Sequence, residues 1–183
     1  MAKKIQLIIG STRQNRLAPQ FAAWIEAQAA QNSDIELEVV DLKEWNLPFM
    51  DSPVPPAYGP VDTPEAKAWT AKLAEAEGFI FLSAEYNRSV PAPLKNALDY
   101  TVAEWKEKPA IIATYGYIDG GASASRHLED IFAWLKVAVV DTKVNMLIQK
   151  DWLDENGAVT NLAAHLDETN TETMQKALTE LAA

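Results

Sequence analysis

KKIQLIIGSTRQNRLAPQFAAWIEAQAA, residues 3–30, passes from a short apolar run through a polar turn into a longer periodic run. IQLII at 5–9 is β-branched and leucine-rich, the composition of a strand buried on both faces of a parallel sheet. From about Arg16 to Gln31, Leu17, Phe21, Trp24, Ile25 and Gln28 recur at helical spacing with alanines between them, which predicts a crossover helix. The turn joining the two opens on Gly10-Ser11. Glycine allows a tight turn there, and the first N–H groups of the following helix have no intrahelical partners, so they converge on the turn. An anion fits such a place. Ser11, Thr12 and Asn15 supply short polar groups, while Arg13 and Arg16 supply guanidinium forks that match phosphate oxygens. The rival reading is a polar turn with two solvated arginines. The pattern contains neither G-x-G-x-x-G nor G-x-x-x-x-G-K-[ST], so the dinucleotide and P-loop fingerprints do not apply.

The chain has 183 residues, 48% of them hydrophobic, enough for one well-buried core, and is read as one domain over 1–183. A net charge of −10 disfavours nucleic acid and anionic membrane as partners, because either needs an extended basic surface. With 0 cysteines there are no disulfides, thiolate nucleophiles or cysteine-held clusters, and redox chemistry would belong to a bound organic cofactor. His127 and His165 are too few for a histidine metal cluster and are read as ordinary helix residues. MAKKIQLIIG lacks the features of a signal peptide and no run is long enough for a membrane span, so the expected address is cytoplasmic.

IELEVVDL at 35–42 reads as a second strand, alternating in its first half as a strand near a sheet edge does. Residues 42–64 hold six of the 10 prolines and form an excursion. Its Trp45, Leu47, Phe49 and Met50 either fold back on the sheet or wall a ligand or subunit site. Thr63-Pro64-Glu65 signals a helix start, and GFIFLSA at 78–84 a third buried strand. Directly after it come Glu85, Tyr86, Asn87, Arg88 and Ser89, and then a helix through Leu94, Leu98 and Tyr100. Lys95 and Asn96 on that helix are read as anchors of the loop or as solvent-facing. AIIATY after Pro109 is a fourth strand. GYIDGG follows, a backbone open to a flat ligand or a bare flexible turn, and then a helix with Leu128, Ile131, Phe132 and Leu135 on one face. VAVVDTKVNMLI supplies a fifth strand, DWLDENG a short helix, and the tail helical spacing interrupted by DETNTET.

Strands alternating with helices predict an α/β fold: a three-layer sandwich around five parallel strands. The order 2-1-3-4-5 follows if the first and third strand-end loops meet at a switch point, which sets residues 11–16 beside 85–89. A cradle for an anion, a polar aromatic loop and a glycine loop at one sheet edge suit a planar ligand with a phosphate tail, and flavin mononucleotide (FMN) fits that description.

GSTRQNRLAPQFAAWI, SAEYNRSVPAPLKNALDY and TYGYIDGG together resemble the NAD(P)H-dependent FMN reductases of flavodoxin-like fold, over about residues 5–140. The resemblance implies bound FMN, NADPH or NADH as electron donor, a small-molecule acceptor such as a quinone, and a homodimer or homotetramer. It implies that Ser11, Arg13, Asn15, Arg16 and Leu17 lie at the phosphate and that Glu85, Tyr86, Asn87 and Ser89 lie beside the isoalloxazine. Tyr115, Gly116, Tyr117, Ile118, Asp119 and Gly120 lie on its far side. Main-chain N–H groups near Glu85–Asn87 would then steady the reduced ring, and no side chain is assigned covalent catalysis. Tyr86 is either a pocket wall or donor, or a packed aromatic. Two departures stand out: Arg16 and Leu17 where many members have a hydroxyl residue and then Asn, and Ala92 where many have Gly. A flavodoxin-type electron carrier, a flavin-binding regulatory protein and a reductase that releases reduced flavin are the competing functions.

Overall fold

The structure, a computed structural model, describes residues 1–183. Each central strand is apolar on both sides through most of its length, so alternate residues feed opposite faces and both faces need a cover. Strands β1 (Lys3–Ile9), β2 (Ile35–Asp41), β3 (Gly78–Ala84) and β4 (Pro109–Gly116) are joined by the pieces β5 (Ala138–Val139) and β6 (Val144–Leu147). All pairings are parallel, in the order β2-β1-β3-β4-β5, with β6 also pairing β4. This is the expected 2-1-3-4-5 order, and β2, the alternating strand, is indeed the edge.

Helices α1 (Ala18–Ala29), α6 (Leu162–Thr169) and α7 (Thr171–Ala182) cover one face, over Ile5, Leu7, Ile9, Ile80 and Leu82. Helices α3 (Pro64–Ala74), α4 (Ala92–Asp99) and α5 (Ala122–Leu135) cover the other, over Ile8, Phe79, Phe81 and Ile112. The second core is aromatic: Trp69, Trp105, Phe79, Phe81 and Phe132 are fully buried, each worth about 1.5–3 kcal/mol or more in area removed from water. Indole N–H groups of Trp69 and Trp105 donate to the carbonyls of Ala97 and Leu98, 3.0 and 3.2 Å. They satisfy carbonyls at the end of α4 and so fix the helix that carries the second loop.

The excursion folds back. It opens with the short helix α2 (Leu42–Trp45), Trp45 packs edge-on against Trp69, and Leu47 and Met50 rest on the core while Phe49 stays exposed. Asn96 anchors it, accepting from Met50 N–H and donating to the Pro48 carbonyl. Thr63 caps α3 through the Ala66 N–H, as the start signal predicts.

Three elements differ from expectation. The first helix begins at Ala18 rather than Arg16, because Asn15 is left-handed (φ 52°) and Arg16 turns back toward β2. The fifth strand is split at 140–143, where Glu180 of α7 takes both the Thr142 N–H and its hydroxyl and draws the chain off the sheet. DWLDENG forms only a single 3-10 turn at Lys150–Trp152 and then a hairpin closed by Leu153 and Val159. There the Asp154 carboxylate accepts from the Asn156 and Ala158 N–H groups and competes with helix. No helix is long and apolar enough to cross a membrane.

Candidate active site at the carboxyl edge of the sheet

β1, β3 and β4 are neighbours, so the loops that follow them leave one edge side by side. The first loop departs at Gly10, whose N–H still donates to the Leu82 carbonyl at 2.9 Å. Glycine is required there by packing rather than by backbone angle: a Cβ would sit 2.9 Å from Leu94 Cδ2 and 3.1 Å from the Leu82 oxygen. Beyond it, the main-chain N–H groups of Ser11, Thr12, Arg13, Gln14 and Asn15 make no hydrogen bond within the chain, while Gln14 and Asn15 form a turn that ends at Arg16. Helix α1 begins directly after, with Pro19 in its first turn, so its free N-terminal donors add to the same place.

Side chains around this loop divide sharply. Arg13 is exposed and makes no ion pair, whereas Arg16 is nine-tenths buried and forks onto Asp41, the last residue of β2. Asn15 is exposed in its left-handed turn, which its short polar side chain tolerates. Leu17 packs on the core. Ser11 is fully buried, and its hydroxyl shares a 2.7 Å hydrogen bond with the Tyr86 hydroxyl. Below them Tyr115 stacks on Phe21, ring centroids 4.2 Å apart. Burial pushes the Tyr115 phenol well above its ordinary value, and the neighbouring Tyr86 adds to this against the opposing Ser11 hydroxyl, Arg13 and Arg16.

The second loop is a two-residue turn. Tyr86 and Ser89 exchange main-chain hydrogen bonds of 2.9 and 3.0 Å, and Asn87 and Arg88 are both left-handed. The Glu85 N–H donates to the Tyr115 carbonyl, so of the N–H groups from Glu85 to Asn87 only that of Asn87 lacks a partner in the chain. The Glu85 carboxylate accepts from the Ser123 and Ala124 N–H groups, 2.9 and 3.4 Å, at the start of α5. Arg88 bridges to Asp119 at 3.1 Å and to Glu85 at 3.6 Å, tying the second loop to the third. His127 lies on α5, as expected of a helix residue, and its Nδ1 meets Ser89 Oγ at 2.9 Å beside a trough of about 670 Å³.

In the third loop, Tyr117 and Ile118 are exposed while Asp119 caps α5 through the Ala122 N–H. Gly120 and Gly121 are left-handed, and a Cβ on Gly121 would lie 2.7 Å from Thr114 Cβ. Their left-handed backbone favours glycine, and the missing side chains also let the loop pack on β4 and β6.

The arrangement is a donor-rich seat for an anion beside two linked loops, and comparison with known proteins gives it a chemical context. Residues 3–151 match the family model of the NADPH-dependent FMN reductases. An NAD(P)H-dependent FMN reductase of Schizosaccharomyces pombe is 40% identical over 150 residues, covering 81% of this chain and 74% of the relative. The chain belongs to the NADPH-dependent FMN reductase family. A 2-hydroxy-1,4-benzoquinone reductase of a Burkholderia species is 34% identical over 168 residues, 87% of this chain and 86% of that one. Among solved structures, the flavoenzyme NAD(P)H:(acceptor) oxidoreductase FerB of Paracoccus denitrificans superposes with a TM-score of 0.68 at 20% identity, over 96% of this chain and 99% of that chain. That likeness speaks for the fold alone. As a member of the FMN reductase family the chain is an oxidoreductase that works with FMN and NAD(P)H. The loops fit that cofactor: the free donors of residues 11–15 suit its phosphate, and the Asn87 N–H suits an oxygen of its ring.

Asp41 is absent from the residues the sequence singles out. The signal for it was available, since a strand order of 2-1-3 puts the last residue of the second strand beside the first strand-end loop.

Proposed function

We propose that the three loops hold FMN with its phosphate on residues 11–17 and its ring between residues 85–89 and 115–120, and that the enzyme passes two electrons from NADPH or NADH to a quinone-like small molecule. The observation that carries this reading is the run of main-chain N–H donors from Ser11 to Asn15 with no hydrogen bond in the chain, one strand away from the Tyr86–Ser89 turn. Bound FMN supplies the redox chemistry, the two-electron exchange between donor and acceptor. The protein binds, orients and shields. Main-chain donors of residues 11–15 and the unpaired Arg13 take the phosphate; Glu85, Arg88 and Asp119 hold the two ring-side loops at a fixed separation. Tyr117 and Ile118, 59% and 77% exposed, offer an apolar rim that a flat acceptor would cover. A quinone as acceptor is supported by the Burkholderia relative, which matches most of its own length.

The test is an anaerobic titration of the purified protein followed by its visible spectrum. NADPH, with no other protein present, is expected to bleach the flavin band and benzoquinone to restore it. Bleaching that needs a protein partner would make this an electron carrier, and loss of flavin on a desalting column during turnover would make it a supplier of free reduced flavin. We further propose a homodimer: Phe49, Tyr58 and Trp134 are each about four-fifths exposed around α4 and α5, large apolar side chains that a second copy would cover. A monomeric mass in sedimentation equilibrium would remove that reading.

A further inference from the structure

Arg16 stands at the end of the phosphate loop, yet its guanidinium is already committed. Nη1 donates to Asp41 Oδ1 at 2.7 Å and also to the Ser11 carbonyl, and Nη2 donates to Asp41 Oδ2. The two side chains are only 10% and 14% exposed. From this geometry we propose that Arg16 is a positioning residue and not a phosphate ligand: held by Asp41, it pins the Ser11 carbonyl and thereby aims the loop's N–H groups at the phosphate.

The strand register makes the pair possible, because Asp41 lies directly beside Ile9, the last residue of β1 before the loop. Peptide planarity makes it effective. The carbonyl of Ser11 and the N–H of Thr12 belong to one trans peptide unit and point in opposite directions. Drawing that carbonyl toward the β2 side turns the Thr12 N–H to the other side, and Thr12 N–H is one of the donors without a partner. Both Asp41 oxygens are occupied, Oδ1 additionally by the Lys43 N–H at 3.0 Å, so the clamp also ties the loop to the start of α2. A phosphate that drew Arg16 away would leave a carboxylate stranded in a mostly buried place, which is costly. Arg13, exposed and unpaired, is the guanidinium free to meet the ligand.

The proposal rests on residues 11–17 being the FMN-phosphate seat, and one experiment separates the two ideas. Cofactor-free full-length protein is titrated with FMN and, separately, with riboflavin, which lacks the phosphate, by quenching of flavin fluorescence. Asp41→Asn keeps an oxygen for the Lys43 N–H but loses the charge that holds Arg16. As a brace, the pair predicts that D41N weakens FMN binding about tenfold, the scale of a mis-set charge-assisted hydrogen bond, with riboflavin within about twofold. As a ligand, Arg16 would be released by D41N and FMN would bind more tightly. Tighter or unchanged FMN binding therefore overturns the proposal, and so does a parallel loss of riboflavin, which marks general loosening. Asp41→Ser, which likewise removes the charge that holds Arg16 but keeps an oxygen for the Lys43 N–H, carries the same opposed expectations and decides the matter should D41N fail to fold. If the wild-type protein and Arg13→Ala bind FMN no better than riboflavin, the phosphate seat itself is wrong and the brace falls with it.

Discussion

Replacing Gly10 with alanine tests whether the seat depends on close packing of its first loop. The backbone there is not left-handed, so alanine brings no conformational strain of its own. Its methyl, however, would meet Leu94 Cδ2 at 2.9 Å and Leu94 Cβ and the Leu82 oxygen at 3.1 Å, where ordinary contact starts at 3.4 Å. Leu94 is fully buried and the Leu82 carbonyl is held by the Gly10 N–H, so neither can swing aside freely. Overpacking of this kind costs about 1–3 kcal/mol, and the stiffer unfolded chain returns about 0.4–1 kcal/mol. A net loss of about 1–2 kcal/mol lowers the melting temperature by about 2–8 °C in a chain of this length. The loop must also retreat from α4 by a few tenths of an ångström, so FMN affinity falls with it. Calorimetry and fluorescence titration read the two effects. Leu94→Ala, which alone should cost about 2–5 kcal/mol, opens room for the methyl, so the double variant should be less destabilised than the two losses added together, by more than about 0.5 kcal/mol. A G10A protein that melts within about 1 °C of wild type and binds FMN equally well, or a strictly additive double variant, would refute the reasoning.

Glu85→Gln keeps the shape of the cap on α5 but removes its charge from the helix N-terminus and from Arg88 at 3.6 Å. A loss of about 0.5–1 kcal/mol in urea unfolding is expected, and none at all would mean the carboxylate is idle. Tyr115→Phe should flatten the alkaline limb of stability. The raised phenol keeps its proton in the fold after the unfolded chain has lost it, so the stabilisation is complete below pH 10.0 and is lost as pH climbs from there toward the folded value. Melting temperatures of both proteins from about pH 8 upward give the comparison, and identical slopes would remove Tyr115 from the account; Tyr100, also raised, keeps a residual slope in both.

Strands β1, β3 and β4 were legible because each is a continuous apolar run with a turn signal at its end, and a buried parallel strand has few other ways to read. The order of the sheet was legible for a different reason: two strand-end loops with complementary chemistry make sense only as neighbours. What escaped was set by individual side-chain bonds, one set long-range and one local. Nothing around Asp141-Thr142 announces that Glu180, on α7, will break the fifth strand. Nothing in DWLDENG distinguishes a helix from a turn until Asp154 is seen accepting from the backbone ahead of it. The same limit applied within the site. Guanidinium chemistry makes Arg13 and Arg16 equivalent on paper, and only the carboxylate at the end of β2 separates them. Gly120 and Gly121 do use the backbone freedom read from the sequence, but the closeness at Gly10, Gly120 and Gly121 was hidden, because a sequence shows a missing side chain but not the atom that would have met it.

An acidic protein that binds an anionic cofactor needs an attraction that works at short range. With a net charge of −10 the chain's overall field opposes a phosphate, and Asp41 cancels one of the two arginines at the loop proposed to receive it. Main-chain N–H dipoles answer the need: they act within hydrogen-bond reach, carry no net charge to be neutralised elsewhere, and cost nothing to orient once the loop is held. That shifts the burden from charge to rigidity. Seen this way, the Arg16–Asp41 clamp, the Gly10 contact with Leu94 and the Ser11–Tyr86 bond serve one end, since each fixes a different point of the loop from a different neighbouring element: the end of β2, helix α4 and the turn after β3.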